Sequence, residues 1–144
     1  MNIRQQMEII NTCNCRITEL YGEWAKQHGM SYHAMITLYA LNQDRKCTQK
    51  QIAEEWLIPK QTVNTVVKDL ERRGYLCFEP GRDQKEKLVC FTPQGKLYAA
   101  EVLEELYQLE DRVMERMGAA LCQALVDSNA AFAQALADEV SHGA

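Results

Sequence analysis

The sequence lacks the marks of a secreted, membrane-spanning or catalytic chain. Its first residues, Met-Asn-Ile-Arg-Gln-Gln, contain no apolar segment of the kind a secretory signal requires. No stretch approaches the roughly 18 uncharged apolar residues needed to cross a bilayer. There is no Gly-x-Ser-x-Gly, no His-Glu-x-x-His and no phosphate loop, and no nucleophile–base–orienter set stands out. Internal repeats and low-complexity linkers are also missing. The expectation is a soluble cytoplasmic protein that is not an enzyme and needs no cofactor or metal.

Six cysteines, Cys13, Cys15, Cys47, Cys77, Cys90 and Cys122, are present. Without a secretory signal they read as reduced thiols, often packed as small apolar side chains, rather than as a disulfide framework. The 144 residues, 47% of them hydrophobic, suffice for one domain with a modest appendage and a real core. The net charge of −4 is unevenly spread. Met1 to Asp44 carries −1, Arg45 to Lys96 carries +4, and Leu97 to Ala144 carries −7. A basic middle between acidic ends suits a single phosphate-facing surface.

Helical periodicity dominates. Ile3, Met7, Ile10, Ile17, Tyr21 and Trp24 form one stripe of a long helix over Ile3 to Gln27, closed by Gly29. Ser31 caps a second helix running to about Asn42, with Met35, Ile36, Leu38 and Tyr39 as its apolar surface. Thr48, with Gln51 at the capping-box position, opens a third helix to about Trp56. Pro59 fits the first turn of a fourth helix, with Val63, Val66, Val67 and Leu70 inward and Gly74 at its end.

The period then changes. Tyr75 to Glu79 and Lys87 to Phe91 read as two strands joined by the charged turn Pro80 to Glu86. Thr92 caps the next helix, Pro93 stands first in it, and Leu97, Leu103, Leu106, Leu109, Val113 and Met117 recur along it. Gly118 breaks it before an Ala-rich last helix from about Ala119 to Val140.

Only Leu57 and Ile58 part the third helix from Pro59, so the third and fourth helices must cross steeply, as in a helix-turn-helix. Ala53 suits that close crossing, and Ile58, Val63 and Val66 fill its angle. The opposite face of the fourth helix presents Lys60, Gln61, Asn64, Thr65 and Lys68, with Thr62 beside them. Gln and Asn can pair with adenine edges, while Lys reaches guanine or phosphate. Any amphipathic helix has a polar face, so this alone decides little. A basic hairpin directly after it, with Arg82, Lys85 and Lys87, gives the order of a winged helix.

Four fragments in order carry a family resemblance: Thr48-Gln49-Lys50-Gln51-Ile52-Ala53, Pro59-Lys60-Gln61-Thr62-Val63-Asn64, Leu70-Glu71-Arg72-Arg73-Gly74-Tyr75, and Asp83 through Phe91-Thr92-Pro93-Gln94-Gly95. Together they resemble the MarR family of bacterial regulators over essentially the whole chain. The resemblance implies a homodimer with intertwined first and last helices. Its recognition helices would enter successive major grooves of a pseudo-palindromic operator. It also implies repression that a small molecule or thiol oxidation relieves. Two positions depart from the pattern. Lys85 stands where the family's wing often has arginine, losing the planar fork. Leu57 stands where many helix-turn-helices carry glycine, so a positive φ there would be strained.

The remaining candidates each have two readings. Cys13 and Cys15, two residues apart on a helix, point roughly 200° apart and cannot share a metal or readily bond. They are packed thiols, or one of them is an oxidation sensor. Cys77 and Cys90 are nearly symmetric about the turn; facing each other, they would permit a redox-sensitive cross-strand link, but register is not readable. His28 and His33, near Glu23, read as ordinary histidines rather than metal ligands. Tyr21, Trp24, Tyr32 and Tyr39 are either core or the lining of a small-molecule effector pocket.

The expected fold is mainly α (α+β). Residues 31–92 form a winged helix-turn-helix DNA-binding lobe, with its helix-turn-helix at 48–73 and wing at 75–91. Residues 1–30 and 93–144 form a helical dimerisation region, since these long amphipathic helices exceed what one small lobe can bury. The expected function is a regulator, partnered by double-stranded DNA and a second copy of itself. The alternative is a winged-helix protein-interaction module without specific DNA binding, which the negative net charge and the absent wing arginine favour.

Overall fold

The computed structural model describes residues 1–42, 45–83 and 85–143. In chain order these form α1 (Ile3–Gln27), α2 (Tyr32–Ala40), α3 (Gln49–Trp56), α4 (Lys60–Arg72), β1 (Leu76–Pro80), β2 (Lys87–Phe91), α5 (Pro93–Met117) and α6 (Ala119–His142). The order of a winged helix expected from the sequence is therefore present. No helix among the described residues is long and apolar enough to cross a membrane.

Helix boundaries follow local chemistry. Asn2 and Gln5 form a capping box at the start of α1, a signal the apolar periodicity does not carry. Ser31 caps α2 by accepting from Ala34 N–H, and α2 ends at Ala40, two residues short of the expected limit. Thr48 and Gln51 form the expected capping box of α3. Pro59 is the N-cap of α4, one position before the first turn, with φ −55° and ψ 138°. That extended ψ lets the ring lie outside the helix, so Lys60 becomes its first residue.

Two compact units are present, Met1–Leu103 and Glu104–Ala144, with the boundary inside α5. In the first, α2 packs on α1, α3 and α4, and α4 also packs on β1. Its core contains Met35, Leu38, Leu41, Ile52, Val63, Val67, Leu70 and Val89, all essentially fully buried. Thr37, also buried, satisfies its hydroxyl by donating to His33 O at 2.8 Å. The expected inward stripe of α4 loses one member: Val66 is only half-buried, because it lies at the edge of the face that Val63, Val67 and Leu70 present.

Helix α5 shows a second correction. Leu103 and Leu106 are buried as expected, but Leu97 is 76% exposed and Ala99, outside the expected stripe, is buried. On α1 the stripe is mostly uncovered: only Ala25 is buried, while Ile3, Ile10 and Ile17 are exposed. Helix α6 has no buried residue.

The hairpin is antiparallel with Leu76 opposite Phe91, Cys77 opposite Cys90, Phe78 opposite Val89, Glu79 opposite Leu88 and Pro80 opposite Lys87. Its first strand starts one residue later than expected, because Tyr75 is drawn into the turn after α4 by Gly74 at φ +86°. Gln84, in the expected tip, lies outside the described residues. A further pairing, invisible in the sequence, ties the segment before α3 to the free edge of β2. Val89 N–H donates to Cys47 O at 2.8 Å, and Cys47 N–H to Val89 O at 3.4 Å.

Candidate nucleic-acid interface

The angle between α3 and α4 is set by three residues. Leu57 takes a left-handed conformation (φ 52°, ψ 45°) and its N–H caps α3 on Ala53 O. Ile58 N–H also donates to Ala53 O at 3.0 Å. Ala53 and Ile58 are buried beneath the crossing, as their sizes suggest. Leu57 itself is 88% exposed, so its side chain gains little packing among the described residues to offset a conformation that costs an L-residue roughly 1–2 kcal/mol.

On α4 the face opposite Val63, Val67 and Leu70 carries the candidate contact residues. Lys60, Gln61, Thr65 and Lys68 are exposed, and Thr62 and Asn64 are half-buried. At 100° per residue, Lys60, Gln61, Asn64, Thr65 and Lys68 fall within an arc of about 140°. Thr65 donates its hydroxyl back to Gln61 O at 2.9 Å, which leaves its methyl and an oxygen lone pair outward. The first amides of α4 have no side-chain cap, so they stay available to an anion.

The wing adds three cations. Arg82, Lys85 and Lys87 are all exposed, on or beside the turn. Asp83 orders that turn by accepting Lys85 N–H on its carboxylate at 3.3 Å and Glu86 N–H on its carbonyl at 2.9 Å. Gly81 N–H donates to Glu86 O at 3.0 Å.

Charge pairing separates two groups of basic residues. Arg45 makes a bidentate pair with Glu55 at 2.8 and 2.6 Å, and Lys46 binds Glu79 at 2.8 Å. Lys50 lies 3.9 Å from Glu54, and Arg72 and Arg73 both reach Asp69. Arg45 holds the Glu55 carboxyl below the usual range by hydrogen bonding, and Lys46 does the same for Glu79. Among the described residues, Lys60, Lys68, Arg82, Lys85 and Lys87 have no ion pair. The cations of the candidate face therefore lack an internal carboxylate partner among the described residues, while others in the lobe have one.

Two contacts that hold this geometry, the stacking of Tyr75 on Tyr98 under Arg73 and the bond from Thr92 to Gly74, were not read from the sequence. Arg73 lies over the rings of Tyr75 and Tyr98, 5.2 and 5.7 Å from their centroids, and those rings stack 4.1 Å apart. Thr92 joins the wing to α5: its hydroxyl donates to Gly74 O at 2.6 Å and accepts Gly95 N–H at 2.9 Å. The Thr-x-x-Gly spacing was the available signal for this second link.

A family model for the MarR family matches residues 28–85, from the end of α1 to the wing tip. The structure is similar to that of NMB1585, a MarR family regulator from Neisseria meningitidis. The TM-score is 0.85 and the identity 30%, with all of both chains covered. The chain belongs to the MarR family.

This MarR-family chain is also 26% identical over 81 residues to the HTH-type transcriptional regulator SarZ of Staphylococcus epidermidis, matching 56% of its own length. It spans only 55% of that relative. The fold is shared with Streptococcus pneumoniae FabT, solved in complex with DNA. There the TM-score is 0.71 at 17% identity, over 95% of this chain and 99% of that one.

Three of the four aromatic candidates meet another ring. Trp24 stacks on His28 at 3.9 Å, Tyr32 meets His33 edge-on at 5.6 Å, and Tyr39 meets Trp56 edge-on at 5.6 Å. All four, Tyr21 included, are half-buried in the described structure. Tyr32 comes near α1 at Gly22, where an added Cβ would lie 4.0 Å from its own. Cys13 and Cys15 are both exposed on α1.

Proposed function

We propose that this MarR-family chain is a cytoplasmic, non-catalytic repressor that binds a pseudo-palindromic DNA operator as a homodimer. Helix α4 enters the major groove, where Gln61 and Asn64 read base edges and Lys60, Thr62, Thr65 and Lys68 hold phosphates or bases. Arg82, Lys85 and Lys87 of the wing reach the backbone or the adjacent minor groove. The observation that carries this reading is the exposed polar arc of α4 with its unpaired cations, beside an equally unpaired basic hairpin.

Self-association rests on the uncovered apolar stripes. On α6, Leu121, Leu125, Val126, Leu136 and Val140 are exposed, and on α1 Ile3, Ile9, Ile17 and Leu20 are. Burying such area is worth roughly 25 cal/mol per Å², and a second copy supplies an equally apolar surface. The region formed by residues 1–30 and 93–144 is thus proposed as the dimerisation region, with 31–92 as the DNA-binding lobe. Release from DNA is proposed to follow a signal, either a small molecule at Tyr21, Trp24, Tyr32 and Tyr39 or oxidation of a thiol such as Cys13 or Cys15.

Gel-shift titration of the purified chain against DNA upstream of its own gene tests this directly. A complex of one dimer per site that weakens with salt supports the reading. No shift on that DNA or on a random duplex at low salt would replace it with the protein-interaction module. Sedimentation of the free protein tests the dimer separately.

A further inference from the structure

Cys77 and Cys90 occupy directly opposed positions of the wing, one step above its base. The ladder hydrogen bonds from Thr92 N–H to Tyr75 O and from Gly81 N–H to Glu86 O lie on either side of them. Such bonded pairs alternate every second residue along an antiparallel ladder, which makes Cys77 and Cys90 a hydrogen-bonded pair. Their Cα atoms are then about 5.5 Å apart, inside the window a disulfide accepts. The side chains already point at one another: the Sγ atoms are 3.4 Å apart. Each thiol is also near the other residue's carbonyl, at 3.7 Å for Cys77 and 3.5 Å for Cys90.

The two sulfurs differ in access. Cys90 is buried and Cys77 half-exposed. Burial first, then hydrogen bonding to Cys77 and the nearness of Glu79, push the Cys90 thiol up to about 12. The exposed sulfur is therefore the one an oxidant meets, and the buried one is held protonated beside it.

We propose that Cys77 and Cys90 are a reversible dithiol–disulfide couple in the wing, oxidised by hydroperoxides, through which redox state alters DNA binding. Cys77 Sγ attacks the terminal peroxide oxygen. The O–O bond breaks, an alcohol or water leaves with the thiol proton, and Cys77 becomes a sulfenic acid. Cys90 Sγ then attacks Cys77 Sγ, the S–O bond breaks, and water leaves with the Cys90 proton. Two electrons pass from the sulfur pair to the peroxide, and nothing else is consumed. Closing the sulfurs from 3.4 Å to a bonded separation of about 2.0 Å turns both side chains and resets the twist of the hairpin that carries Arg82 and Lys85. The DNA half of this inference rests on the proposed function above.

The test treats reduced full-length protein with a small excess of hydrogen peroxide, blocks remaining thiols, and maps linkages by peptide mass spectrometry. A Cys77–Cys90 peptide pair lighter by two hydrogen atoms, restored by dithiothreitol, is the expected result. Binding to a duplex from upstream of the gene should weaken several-fold on oxidation and recover on reduction. In Cys77→Ser and Cys90→Ala chains, each checked for folding by circular dichroism, it should stay unchanged. The couple is overturned if Cys77 instead accumulates sulfinic acid, or if other cysteines oxidise while this pair remains free. A mapped linkage with unaltered DNA affinity overturns the regulatory half. Protein that binds no duplex even when reduced counts against the DNA reading, and the linkage map still decides the couple.

Discussion

Gly95 lies against the backbone of Tyr75 so closely that a Cβ on Gly95 would stand 1.8 Å from Tyr75 O and 2.7 Å from its carbonyl carbon. No side-chain rotation relieves such a clash, since both partners are backbone. The start of α5 is thereby pressed onto the turn that leaves α4, and Thr92 bonds to both sides of the contact. This junction sets where the wing springs from α4.

Gly95→Ala should therefore force α5 away from Tyr75. We expect a loss of about 3 kcal/mol, at the upper end of typical overpacking costs. Urea unfolding followed by circular dichroism measures it. A midpoint within error of the parent would show that the junction yields freely.

Leu57 offers the opposite case. It adopts the left-handed region with its side chain in solvent, and Gly adopts that region without steric cost. Leu57→Gly should raise stability by up to about 1 kcal/mol, the relieved strain exceeding the added freedom of the unfolded chain. A lowered melting temperature would mean that the exposed leucine has a packing role in the assembled protein.

On α4 and the wing, residues proposed to read bases and those proposed to hold phosphates should separate by their effects. Gln61→Ala and Asn64→Ala should each cost about 1–3 kcal/mol on the cognate site and little on random DNA. Lys68→Ala and Lys85→Ala should weaken both, and reduce the slope of log affinity against log salt by about one each. Fluorescence anisotropy at several salt concentrations distinguishes the two patterns. Equal losses on both DNAs for Gln61 and Asn64 would remove them from base recognition.

Cys90 predicts a dependence on alkaline pH. Its folded thiol sits at about 12 against an ordinary 9.0, so the folded chain holds a proton that the unfolded chain releases first. That contribution is complete below the ordinary value and disappears as pH climbs through the folded one. Reduced protein should lose stability steadily across this window, and Cys90→Ala should lose less. Parallel unfolding curves for both chains at each pH would contradict the shift.

How much of this was legible beforehand can be argued from particular residues. Thr48, Gln51, Ser31 and Gly74 announced helix limits because capping is a local bargain between a side chain and amides a few residues away. Pro59 was misplaced by one position, since its fixed φ serves an N-cap as well as a first turn. Leu97 and Val66 matched the period, yet Leu97 is exposed and Val66 only half-buried, because periodicity marks a stripe without marking how wide its cover is. The polar face of α4 was readable by the same period, and Gln61 is exposed and Asn64 half-exposed as that reading requires. Which lysines are left unpaired was not, because ion pairs such as Lys46 with Glu79 join positions distant in sequence.

The chain's own order of residues determined the helices, the hairpin, the short turn between α3 and α4 and the polar ridge on α4, because each depends on interactions within a few residues. Only the tertiary structure decided that Cys77 stands opposite Cys90, that Cys47 pairs with Val89, and that Gly95 must be bare. Those facts depend on strand register and on backbones meeting across the fold. Such relationships are fixed by packing the whole lobe at once.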